Sequence, residues 1–501
     1  MKELNNLRKE IDTIDNELMD LLNKRFKITQ KIGKEKIKNN KPIENIEREN
    51  DILSKTYDYE EQIALEKCFK SIISISKEQQ NLNSFLLIKD SSYTLSPIIH
   101  KLLGNDYYQA IENTTLEEFI NKEDLLFRAV NISNPYKKDA YTYCINNNIE
   151  LDEFAKKTKI INLVVNNGSL KAYNTDYLGF KYLIENNNII LKNKNIMILG
   201  NGDTSSTIQK VLEEYEPKNI YVVVRTIRND SEILFEDSKI LSDKDINIVI
   251  NTTSYGVMPN LELDSLIDLG NYNIECIIDV NYNPNRSAIG INNSFKYING
   301  LDMLIEQARI AEELIQNKPI DSINNEYIKK EILKNTLNLC LIGMPFSGKT
   351  TLAKKLSAKT GKTFFDSDII LKEENLSLSK LLSMGFSVSD YREYEKSVIE
   401  TLATLSNSII STGGGIIEDC DNINILKQKG LIIFINTPLE ILEKRIENNR
   451  PLVKNKDDLK NLYNQRYGKY LKSADIILDG SKDIDELSLE LEVKLNEYLN
   501  N

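Results

Sequence analysis

The chain has 501 residues, a mass of 57.5 kDa and a formal net charge of −11, with a pI of about 5.1. This length predicts about three domains, and the acidic balance argues against nucleic acid as a partner. No apolar run approaches the roughly 20 residues that span a membrane, and the charged, periodic start MKELNNLRKEIDTID does not read as a secretory signal. We therefore expect a cytoplasmic protein that does not act on a membrane.

Scattered cysteines and a single histidine limit the chemistry. The cysteines at positions 68, 144, 276, 340 and 420 form no CxxC pair, which argues against a zinc cage and a disulfide framework. His100 is the one histidine, so Ser-His triads and histidine metal sites are excluded from most of the chain. Catalysis must then depend on Lys, Arg, Asp and Glu and on bound cofactors.

Residues 1–84 read as an all-α domain. Apolar residues recur at steps of three and four, which predicts a long amphipathic helix that ends before Pro42; they are Leu7, Ile11, Ile14, Leu18, Leu21, Ile28 and Ile32. Arg25 takes a position in this stripe where a hydrophobic residue is expected. Because burying an unpaired guanidinium is costly, Arg25 should meet an anion. The alternative is a coiled-coil arm whose polar residue fixes the register.

Five motifs of this segment follow in frame: LRKEIDTID, LLNKR, IGKEK, KPIENIEREN and SISKEQQ. Together they closely resemble the all-helical chorismate mutases. The resemblance implies a pocket for chorismate lined by Arg8, Arg25, Lys36, Arg48, Glu49, Ser76 and Gln80. Arg25, Lys36 and Gln80 would be the catalytic residues, with Lys36 and Gln80 donating to the ether oxygen where negative charge develops. It also implies a homodimer in which Arg8 serves the partner's site.

Residues 85–328 alternate strand-like apolar runs with helical stretches, which is typical of α/β units. The segment IMILGNGDTSSTIQKVL reads as strand, glycine turn and helix, and Gly200 and Gly202 would let a pyrophosphate approach the helix N-terminus. A plain βα turn is the alternative. The next strand ends at Arg225 and Arg228, which suit a ribose 2′-phosphate and favour NADP over NAD; solvated surface arginines are the other interpretation.

Further motifs occur in one order: TLSPIIH, VNISNPYK, IINLVV, AYNTDYLGF, NTTSYGVMP, DVNYNP and NGLDMLIEQA. They resemble shikimate dehydrogenase, a two-lobed Rossmann-type enzyme, with a substrate lobe at 85–180 plus C-terminal helices and an NADP lobe at 181–300. The resemblance implies Lys137 and Asp176 as the catalytic pair, which can move a hydroxyl proton without a metal. The implied shikimate contacts are Thr94, Ser96, Ser133, Asn162, Tyr282 and Gln307. The implied NADP contacts are Gly200, Gly202, Arg225, Thr226, Arg228, Gly300 and Met303.

Asp203 departs from this family, which usually has a third glycine there. A carboxylate near the pyrophosphate would repel it, so we expect weaker NADP binding than is typical. Asp203 could equally serve as a helix N-cap.

Residues 336–501 repeat the α/β alternation after a charged linker at Lys329–Asn338. The sequence from Gly343 to Thr350 is a complete GxxxxGK(S/T) between a strand and a helix, which predicts a nucleotide phosphate site. Lys349 would reach the β- and γ-oxygens and Thr350 would approach Mg²⁺. The expected ATP contacts are Gly343, Ser347, Gly348, Lys349, Thr350 and Thr351. The motif alone leaves an ATPase, a GTPase and a small-molecule kinase open.

The segment FFDSD places Asp366 and Asp368 two residues apart, which predicts one side of a strand end with one carboxylate facing Mg²⁺ and the other a diol. Together with DYREYE, STGGG, NNRPLV and NQRYGKYLKSA, it resembles shikimate kinase, a P-loop enzyme. The resemblance implies Asp366 in the Mg²⁺ shell and Arg450 in a mobile lid that stabilises the transferring phosphoryl group. The implied shikimate contacts are Asp368, Arg392, Gly414, Gly415 and Arg466.

The three resemblances imply one multifunctional enzyme of aromatic amino acid biosynthesis. It would interconvert 3-dehydroshikimate and shikimate, phosphorylate shikimate with ATP, and rearrange chorismate to prephenate. Two alternatives stay open at this point. The mutase or the dehydrogenase could be a non-catalytic dimerisation or regulatory module, and the kinase could phosphorylate a different small polyol or a nucleotide.

Overall fold

The computed structural model describes residues 2–38, 45–80, 83–122, 127–291, 295–446 and 452–500. The chain divides into two compact units, of which the first is Met1–Tyr177 with Ala308–Ile320 and the second is Leu178–Gln307 with Asp321–Asn501. The expected helix end at Pro42 lies outside the described residues. Within the described ranges, no helix is both long enough and apolar enough to cross a membrane.

The described part of the N-terminal segment is helical, as predicted. Its helices are α1 (Lys2–Lys38), α2 (Ile46–Ser54) and α3 (Gln62–Gln80). α1 lies against α3, and Thr29 and Gly33, one and two turns beyond Arg25, are buried. The apolar stripe is instead 45–62% exposed; it comprises Leu7, Ile11, Ile14, Leu18, Leu21, Ile28 and Ile32. Arg25 therefore belongs to the face that meets α3, while the stripe is left for another partner.

A six-stranded mixed sheet, the first sheet, follows α3 in the chain. Its strands are β1 (Asn83–Ile88), β2 (Tyr108–Glu112), β3 (Phe127–Ile132), β4 (Glu150–Leu151), β5 (Leu163–Asn166) and β6 (Leu170–Tyr173), in the order β2-β1-β3-β5-β6-β4. Its helices are α4 (Ser96–Leu102), α5 (Leu116–Ile120), α6 (Lys137–Asn146), α7 (Glu153–Thr158) and α8 (Thr175–Asn186).

The register of the first sheet gathers four chain segments at one edge. β1 and β3 are parallel, so the segments that follow them, containing Ser96 and Lys137, leave at the same edge. β5 is antiparallel to β3 and β6 is antiparallel to β5. The start of β5 at Asn162 and the end of β6 at Tyr173 therefore return to that edge, where Asn162 N donates to Tyr173 O at 3.1 Å.

The second sheet is six-stranded and parallel throughout. Its strands are β7 (Asn195–Leu199), β8 (Asn219–Val224), β9 (Glu232–Leu234), β10 (Ile248–Asn251), β11 (Cys276–Asp279) and β12 (Lys296–Asn299), in the order β12-β11-β10-β7-β8-β9. Its helices are α9 (Asp203–Leu212), α10 (Ala288–Ile291) and α11 (Leu301–Gln316). Chain order reverses beside β7, which is where ligands bind in open parallel sheets. The Rossmann-type fold expected for this segment is confirmed.

The linker predicted over Lys329–Asn338 is wrong, because this stretch is mostly helix α12 (Asn324–Thr336). Ile328 and Ile332 are buried on one face of α12. At its start, Asn325 Nδ2 donates to Glu306 Oε2 at 2.6 Å. At its end, Lys362 Nζ donates to Lys334 O at 2.7 Å. Apolar spacing and two polar anchors thus override the charged composition.

The third sheet has five parallel strands with the P-loop strand at its centre. They are β13 (Asn338–Ile342), β14 (Thr363–Asp366), β15 (Ser408–Ser411), β16 (Gly430–Asn436) and β17 (Ile476–Asp479), in the order β14-β15-β13-β16-β17. Its helices are α13 (Lys349–Thr360), α14 (Ser367–Glu373), α15 (Leu378–Ser383), α16 (Val388–Ala403), α17 (Cys420–Lys429), α18 (Leu439–Lys444), α19 (Lys456–Ser473) and α20 (Ile484–Asn500). Parallel pairing brings the loops after β13, β14 and β15 to one edge.

Candidate functional site

A partly buried guanidinium marks the helical segment. Arg25 Nη1 on α1 donates to the hydroxyl of Ser76 on α3, and burial lowers the pKa of Arg25. No carboxylate among the described residues forms a salt bridge with it. Lys36 is half-buried about three turns further along α1. A partly desolvated cation whose side-chain partner, among the described residues, is a neutral hydroxyl group is suited to binding an anion.

The other residues predicted for this pocket lie on all three helices and differ in exposure. Arg8 is exposed, and Arg48 is exposed and pairs with Asp51 at 2.5 Å. Glu49 is half-buried on α2. The side chain of Gln80 lies outside what the structure describes.

Lys137 and Asp176 meet at the site edge of the first sheet. Lys137, the first residue of α6, donates from Nζ to Asp176 Oδ2 at 2.6 Å, and both side chains are buried. Asn162 Nδ2 donates to Asp176 Oδ1 at 3.0 Å and to Thr175 Oγ1 at 2.9 Å. One carboxylate therefore holds a lysine on one oxygen and an amide on the other, which fixes the ammonium at the edge of the sheet.

Two other predicted contacts lie on the loop after β1. Ser96 is buried at the start of α4, and its backbone N–H donates to Thr94 Oγ1 at 3.3 Å. Ser133, after β3, donates from its backbone N–H to Leu87 O at 2.9 Å. The sequence prediction did not include Asn131, a buried asparagine of β3 whose Oδ1 has no hydrogen-bond partner among the described residues. A polar residue inside the apolar run FRAVNI was the available signal.

His100 lies in the core of the first unit, where the sequence predicts a structural role. Its Nδ1 lies 2.6 Å from Glu312 Oε1, and its ring stacks on Tyr108 with 3.7 Å between centroids. Glu312 also accepts from Asn105 Nδ2 at 2.8 Å and from Gln316 Nε2 at 2.9 Å. The carboxylate thus joins α4 to α11 inside the core.

The turn after β7 is shaped for close approach by a ligand. Gly200 has φ of +101°, and a Cβ there would lie 2.9 Å from Thr252 Oγ1. A Cβ on Gly202 would meet no atom within 4 Å, so the space in front of α9 is open. Gly202 is the N-cap and Asp203 is the first helical residue. The N-cap interpretation of Asp203 is therefore wrong, and its carboxylate stands at the helix N-terminus.

Arg225 and Arg228 follow β8 and are exposed, and no described carboxylate forms a salt bridge with either guanidinium. Arg228 Nη1 donates to Asn201 O at 2.8 Å, and Thr226 O accepts from Asn201 Nδ2 at 3.3 Å. Glu232, which the sequence prediction did not include, accepts from the Arg228 backbone N–H at 2.6 Å. This carboxylate stands beside the predicted 2′-phosphate site.

The remaining residues predicted for the dehydrogenase lie in packed positions. A Cβ on Gly300 would lie 1.9 Å from Val280 O, so this glycine is required by packing. Met303 and Gln307 are buried on α11, and Gln307 Nε2 donates to Leu304 O at 3.0 Å. Tyr282 is half-buried on the loop after β11.

The P-loop wraps around its own lysine. Lys349 Nζ donates to Gly343 O and to Met344 O, each at 3.0 Å. Gly343 and Gly348 have φ of +152° and +91°, which favours glycine. The Ser347 hydroxyl is buried and has no hydrogen-bond partner in the part of the chain that the structure describes. The adjoining cavity of about 660 Å³ is lined by five of the six predicted ATP contacts, Gly343 being the exception. Lys482 and Ile484 also line it.

Asp366 and Asp368 have different surroundings, and the prediction that both lie on one side of a strand is wrong. Asp366 ends β14 and caps α14, accepting from the backbone N–H of Asp368 at 3.0 Å, so Asp368 lies in the first turn of a helix. Asp366 Oδ2 accepts from Thr350 Oγ1 at 2.7 Å. Asp368 accepts from Tyr391 Oη at 3.3 Å.

A second cavity, of about 400 Å³, lies beside the P-loop cavity and shares Pro345, Asp368 and Gly414 with it. Its lining includes Asp368, Arg392, Gly414, Gly415 and Arg466, all of which the sequence predicts for one ligand. A Cβ on Gly415 would lie 1.8 Å from Arg392 Nη2, so the glycine admits the arginine. Arg450 lies outside the described residues.

Two carboxylates pair with the arginines of this cavity, and a tyrosine hydroxyl lies between it and the P-loop; the sequence prediction gave neither Glu418 nor Tyr470 a role. Arg392 pairs with buried Glu395 at 2.5 Å, and Arg466 pairs with Glu418 at 2.8 Å. The pKa of Glu395 is raised by burial, against the opposing effect of Arg392. The Tyr470 hydroxyl lies within hydrogen-bond distance of Gly343 O, at 2.9 Å, and of Gly414 O, and it shares its one proton between these carbonyls of the two cavities.

Fold and sites together define a multidomain enzyme: a helical segment, a two-sheet Rossmann-type dehydrogenase and a P-loop kinase. Residues 7–81 match the family described as chorismate mutase type II, and residues 345–495 match the family described as shikimate kinase. A shikimate dehydrogenase (NADP(+)) of Clostridium beijerinckii is 33% identical over 248 residues, which cover 46% of this chain and 90% of the relative.

A shikimate kinase of Clostridium botulinum is 36% identical over 155 residues, which cover 30% of this chain and 92% of the relative. A crystal structure of shikimate dehydrogenase 1 from Peptoclostridium difficile is 27% identical with a TM-score of 0.44, covering 50% of this chain and 98% of that one. The chain belongs to the shikimate dehydrogenase and shikimate kinase families, and a type II chorismate mutase domain is fused to them. The three resemblances found in the sequence are thereby confirmed.

Tyr470→Phe tests the link between the two kinase cavities. The variant keeps the stack on Phe434, 5.1 Å between centroids, but leaves two loop carbonyls without this donor. We expect kcat/KM for phosphorylation of shikimate to fall about fivefold, the effect of about 1 kcal/mol for one lost hydrogen bond. Steady-state kinetics measures it, with Tyr467→Phe on the same helix as the control. Equal rates for the two variants would contradict the role given to Tyr470.

Proposed function

We propose that this chain catalyses three reactions: reduction of 3-dehydroshikimate to shikimate with NADPH, phosphorylation of shikimate by ATP, and rearrangement of chorismate to prephenate. The observation that carries the proposal is the buried Lys137–Asp176 pair, with 2.6 Å between Nζ and Oδ2. It supplies the proton-transfer group for the middle reaction, whose product is the substrate of the kinase. The partners are small molecules, and the location is the cytoplasm, where ATP and NADPH are available.

Lys137 is the proton donor in the reduction. As the carbonyl carbon gains a hydride, its oxygen becomes an alkoxide and takes a proton from the Lys137 ammonium group. Asp176 holds that ammonium in place, and Asn162 orients the carboxylate from its other oxygen. Thr94, Ser96, Ser133, Tyr282 and Gln307 are proposed to bind the rest of the substrate. When bound, NADPH supplies the hydride.

The turn after β7 fits the pyrophosphate of NADP, because Gly202 opens onto empty space and Gly200 takes a left-handed φ. Arg225 and Arg228 suit the 2′-phosphate, with Thr226 shaping the loop between them. Asp203 and Glu232 oppose the anion, so NADP affinity is a balance of two cations against two carboxylates. Gly300 and Met303 support this lobe by packing.

Asp368, Arg392 and Arg466 are proposed to hold shikimate in the cavity of about 400 Å³. The carboxylate of Asp368 would accept from a ring hydroxyl, and the two guanidinium groups would bind the substrate carboxylate. Gly414 and Gly415 keep this wall free of side chains. Because the cavity shares Asp368 and Gly414 with the P-loop cavity, a hydroxyl held there faces the phosphate end of the nucleotide.

The P-loop residues fit ATP. The Ser347 hydroxyl has no hydrogen-bond partner among the described residues, and the buried Lys349 ammonium donates to the loop carbonyls; both are suited to bind a phosphate. Gly343, Gly348 and Thr351 complete the loop. The adjoining Thr350 hydroxyl and Asp366 carboxylate are oxygen ligands of the kind that Mg²⁺ prefers. Mg²⁺ would neutralise phosphate charge, and Arg450 is proposed to stabilise the transferring phosphoryl group.

The mutase reaction is pericyclic, so the protein has only to clamp two carboxylates and stabilise charge at the ether oxygen. Arg25 is the described residue best suited to the first task, because it is desolvated and held by Ser76 alone among the described side chains. Arg8, Arg48 and Glu49 are proposed to complete the clamp. Lys36 and Gln80 are proposed as donors to the ether oxygen.

A homodimer through α1 completes this proposal. The exposed apolar stripe of α1, 45–62% exposed, needs a partner surface. A second copy supplies one of matching length and spacing, and it brings Arg8 of one chain to the pocket of the other.

The three activities are separable by substitution. Lys137→Met should lower shikimate dehydrogenase turnover at least 10²-fold, because a positioned acid contributes about that much. The same variant should leave kinase and mutase rates unchanged; Lys349→Met should affect only the kinase, and Arg25→Met only the mutase. Coupled assays on the purified full chain measure all three. A wild-type chain without mutase or dehydrogenase turnover would instead support a non-catalytic module.

A matched pair of glycines separates cofactor binding from packing. Gly202→Ala adds a methyl group to open space at φ of −76°, so it should leave the melting temperature unchanged and weaken NADP⁺ binding several-fold. Gly300→Ala places a methyl group against Val280 O, so it should destabilise the fold by about 2 kcal/mol. Calorimetry gives both quantities. Undiminished NADP⁺ affinity in Gly202→Ala would argue against a pyrophosphate at this turn.

Charged substitutions in the exposed apolar stripe of α1 test the proposed dimer. Ile14→Asp with Leu18→Asp should produce monomers, because two carboxylates would be buried in an apolar seam. Mutase activity should fall at least tenfold while dehydrogenase and kinase rates stay unchanged. Sedimentation velocity and the three assays measure this, with Asn6→Asp as a control on an exposed polar position of α1. A wild-type monomer with full mutase activity would overturn the dimer.

A further inference from the structure

Gln428, near the end of α17 in the kinase, is completely buried and contacts two loops of the second sheet. Its Nε2 donates to Glu262 O. Its main-chain carbonyl accepts from the Arg286 backbone N–H at 3.0 Å. One residue of the kinase thus bonds to both loops.

These two loops begin at the carboxyl edge of the second sheet. The first, here the β10 loop (252–264), starts at Thr252, which crowds Gly200 in the turn after β7. The second, here the β11 loop (280–287), carries Tyr282. Asn281 Nδ2 donates to Thr253 O at 2.9 Å, so the loops are tied to each other at their base.

Where the β11 loop joins the second sheet, it is anchored by the carboxylate of one residue, Asp279. Asp279 is fully buried and accepts from Asn251 Nδ2 at 3.0 Å, from Tyr297 Oη at 3.0 Å and from the Ser287 hydroxyl. Asn281 Nδ2 also donates to it, at 2.9 Å. Both ends of the loop are therefore fixed within the second sheet, while the segment leading to Arg286 is held by the kinase.

Apolar contacts accompany the hydrogen bonds. Leu261 and Leu263, on either side of Glu262, pack against the buried core of the kinase. Helix α10, which follows Arg286, lies against α17. The tip of the β10 loop, around Glu262, therefore packs against the kinase domain.

The chemistry of Gln428 indicates a positional role. Its Oε1 is buried without a hydrogen-bond partner among the described residues. An unsatisfied buried amide oxygen costs free energy, and an apolar side chain would pack this boundary without that cost. The amide is useful here because its Nε2 aims a donor at one loop carbonyl.

We propose that Gln428 is a positioning residue for the dehydrogenase, by which the kinase domain fixes the β10 and β11 loops at the edge of the NADP-binding sheet. The inference rests on the proposed function of these loops, which assigns Tyr282 to shikimate. The kinase then acts on the dehydrogenase site through Glu262 and Arg286, without contacting the substrate of that site.

Gln428→Met in the full chain removes the donor and keeps the size and the main-chain carbonyl. We expect the KM for shikimate in the dehydrogenase assay to rise about fivefold, the effect of one hydrogen bond, with kcat within twofold of the wild type. Kinase kcat and KM should be unchanged. Leu261→Ala with Leu263→Ala, which loosens the same loop from the other side, should shift the dehydrogenase KM in the same direction.

Lys427→Met is the matched control, because Lys427 pairs with Asp475 at 3.7 Å inside the kinase. It should leave the dehydrogenase KM unchanged. An unchanged KM in both Gln428→Met and the double leucine variant would overturn the proposal. So would an equal fall of both activities with a lower melting temperature, since that result would mean general packing.

Hydrogen exchange separates this proposal from the proposed function. In Gln428→Met, the backbone amides of residues 252–264 and 280–287 should exchange faster than in the wild type, whether or not the chain turns over shikimate. Absence of dehydrogenase turnover in the wild type would overturn the function alone. Unchanged exchange in the two loops would overturn the positioning role of Gln428 alone.

Discussion

The functions proposed for this chain depend on cations that burial withdraws from water, wholly or in part. Lys137 and Lys349 are buried, and Arg25 is partly buried. A cation withdrawn from water must be held by oxygen atoms. Asp176 holds the first, loop carbonyls hold the second, and the Ser76 hydroxyl holds the third. In the function proposed above, the carboxylate fixes Lys137 as a proton donor, whereas Lys349 and Arg25 are assigned to anionic ligands.

Parallel strands bring these cations to their partners. Lys137 and Asp176 are far apart in sequence, and they meet because β3 and β6 end at one edge of the first sheet. Thr350 and Asp366 meet for the same reason at the edge of the third sheet. A shared edge fixes the backbone positions of several loops at once. The side chains then need only short reach, which limits the entropy lost in forming each site.

Local motifs allowed much of this to be predicted. The conformation of the P-loop depends on Gly343, Gly348 and Lys349, which lie within seven residues of one another. The sequence places this loop correctly between a strand and a helix. Contacts between distant segments were beyond the sequence. Asp366 caps a helix, so Asp368 turns away from it, although their spacing indicated a shared strand face. The Tyr470 bond to Gly343 O spans more than a hundred residues, and no local pattern marks it.

Helix α12 shows why composition misled the prediction of a linker. Its many charges read as solvated chain, yet its ends are fixed to both neighbours in the second unit. Lys329 pairs with Asp302 at 2.8 Å on the dehydrogenase side. Lys362 of the kinase donates to Lys334 O and Leu337 O, where burial lowers its pKa to about 8.

A lysine with that pKa remains largely protonated at neutral pH, so it complements the carbonyl end of α12. The helix is therefore a strut between the two domains. A flexible linker would make the kinase contacts at Glu262 and Arg286 depend on a large loss of chain entropy. The strut restricts that freedom in advance, so the side-chain donor and the main-chain acceptor of Gln428 are enough to contact both loops.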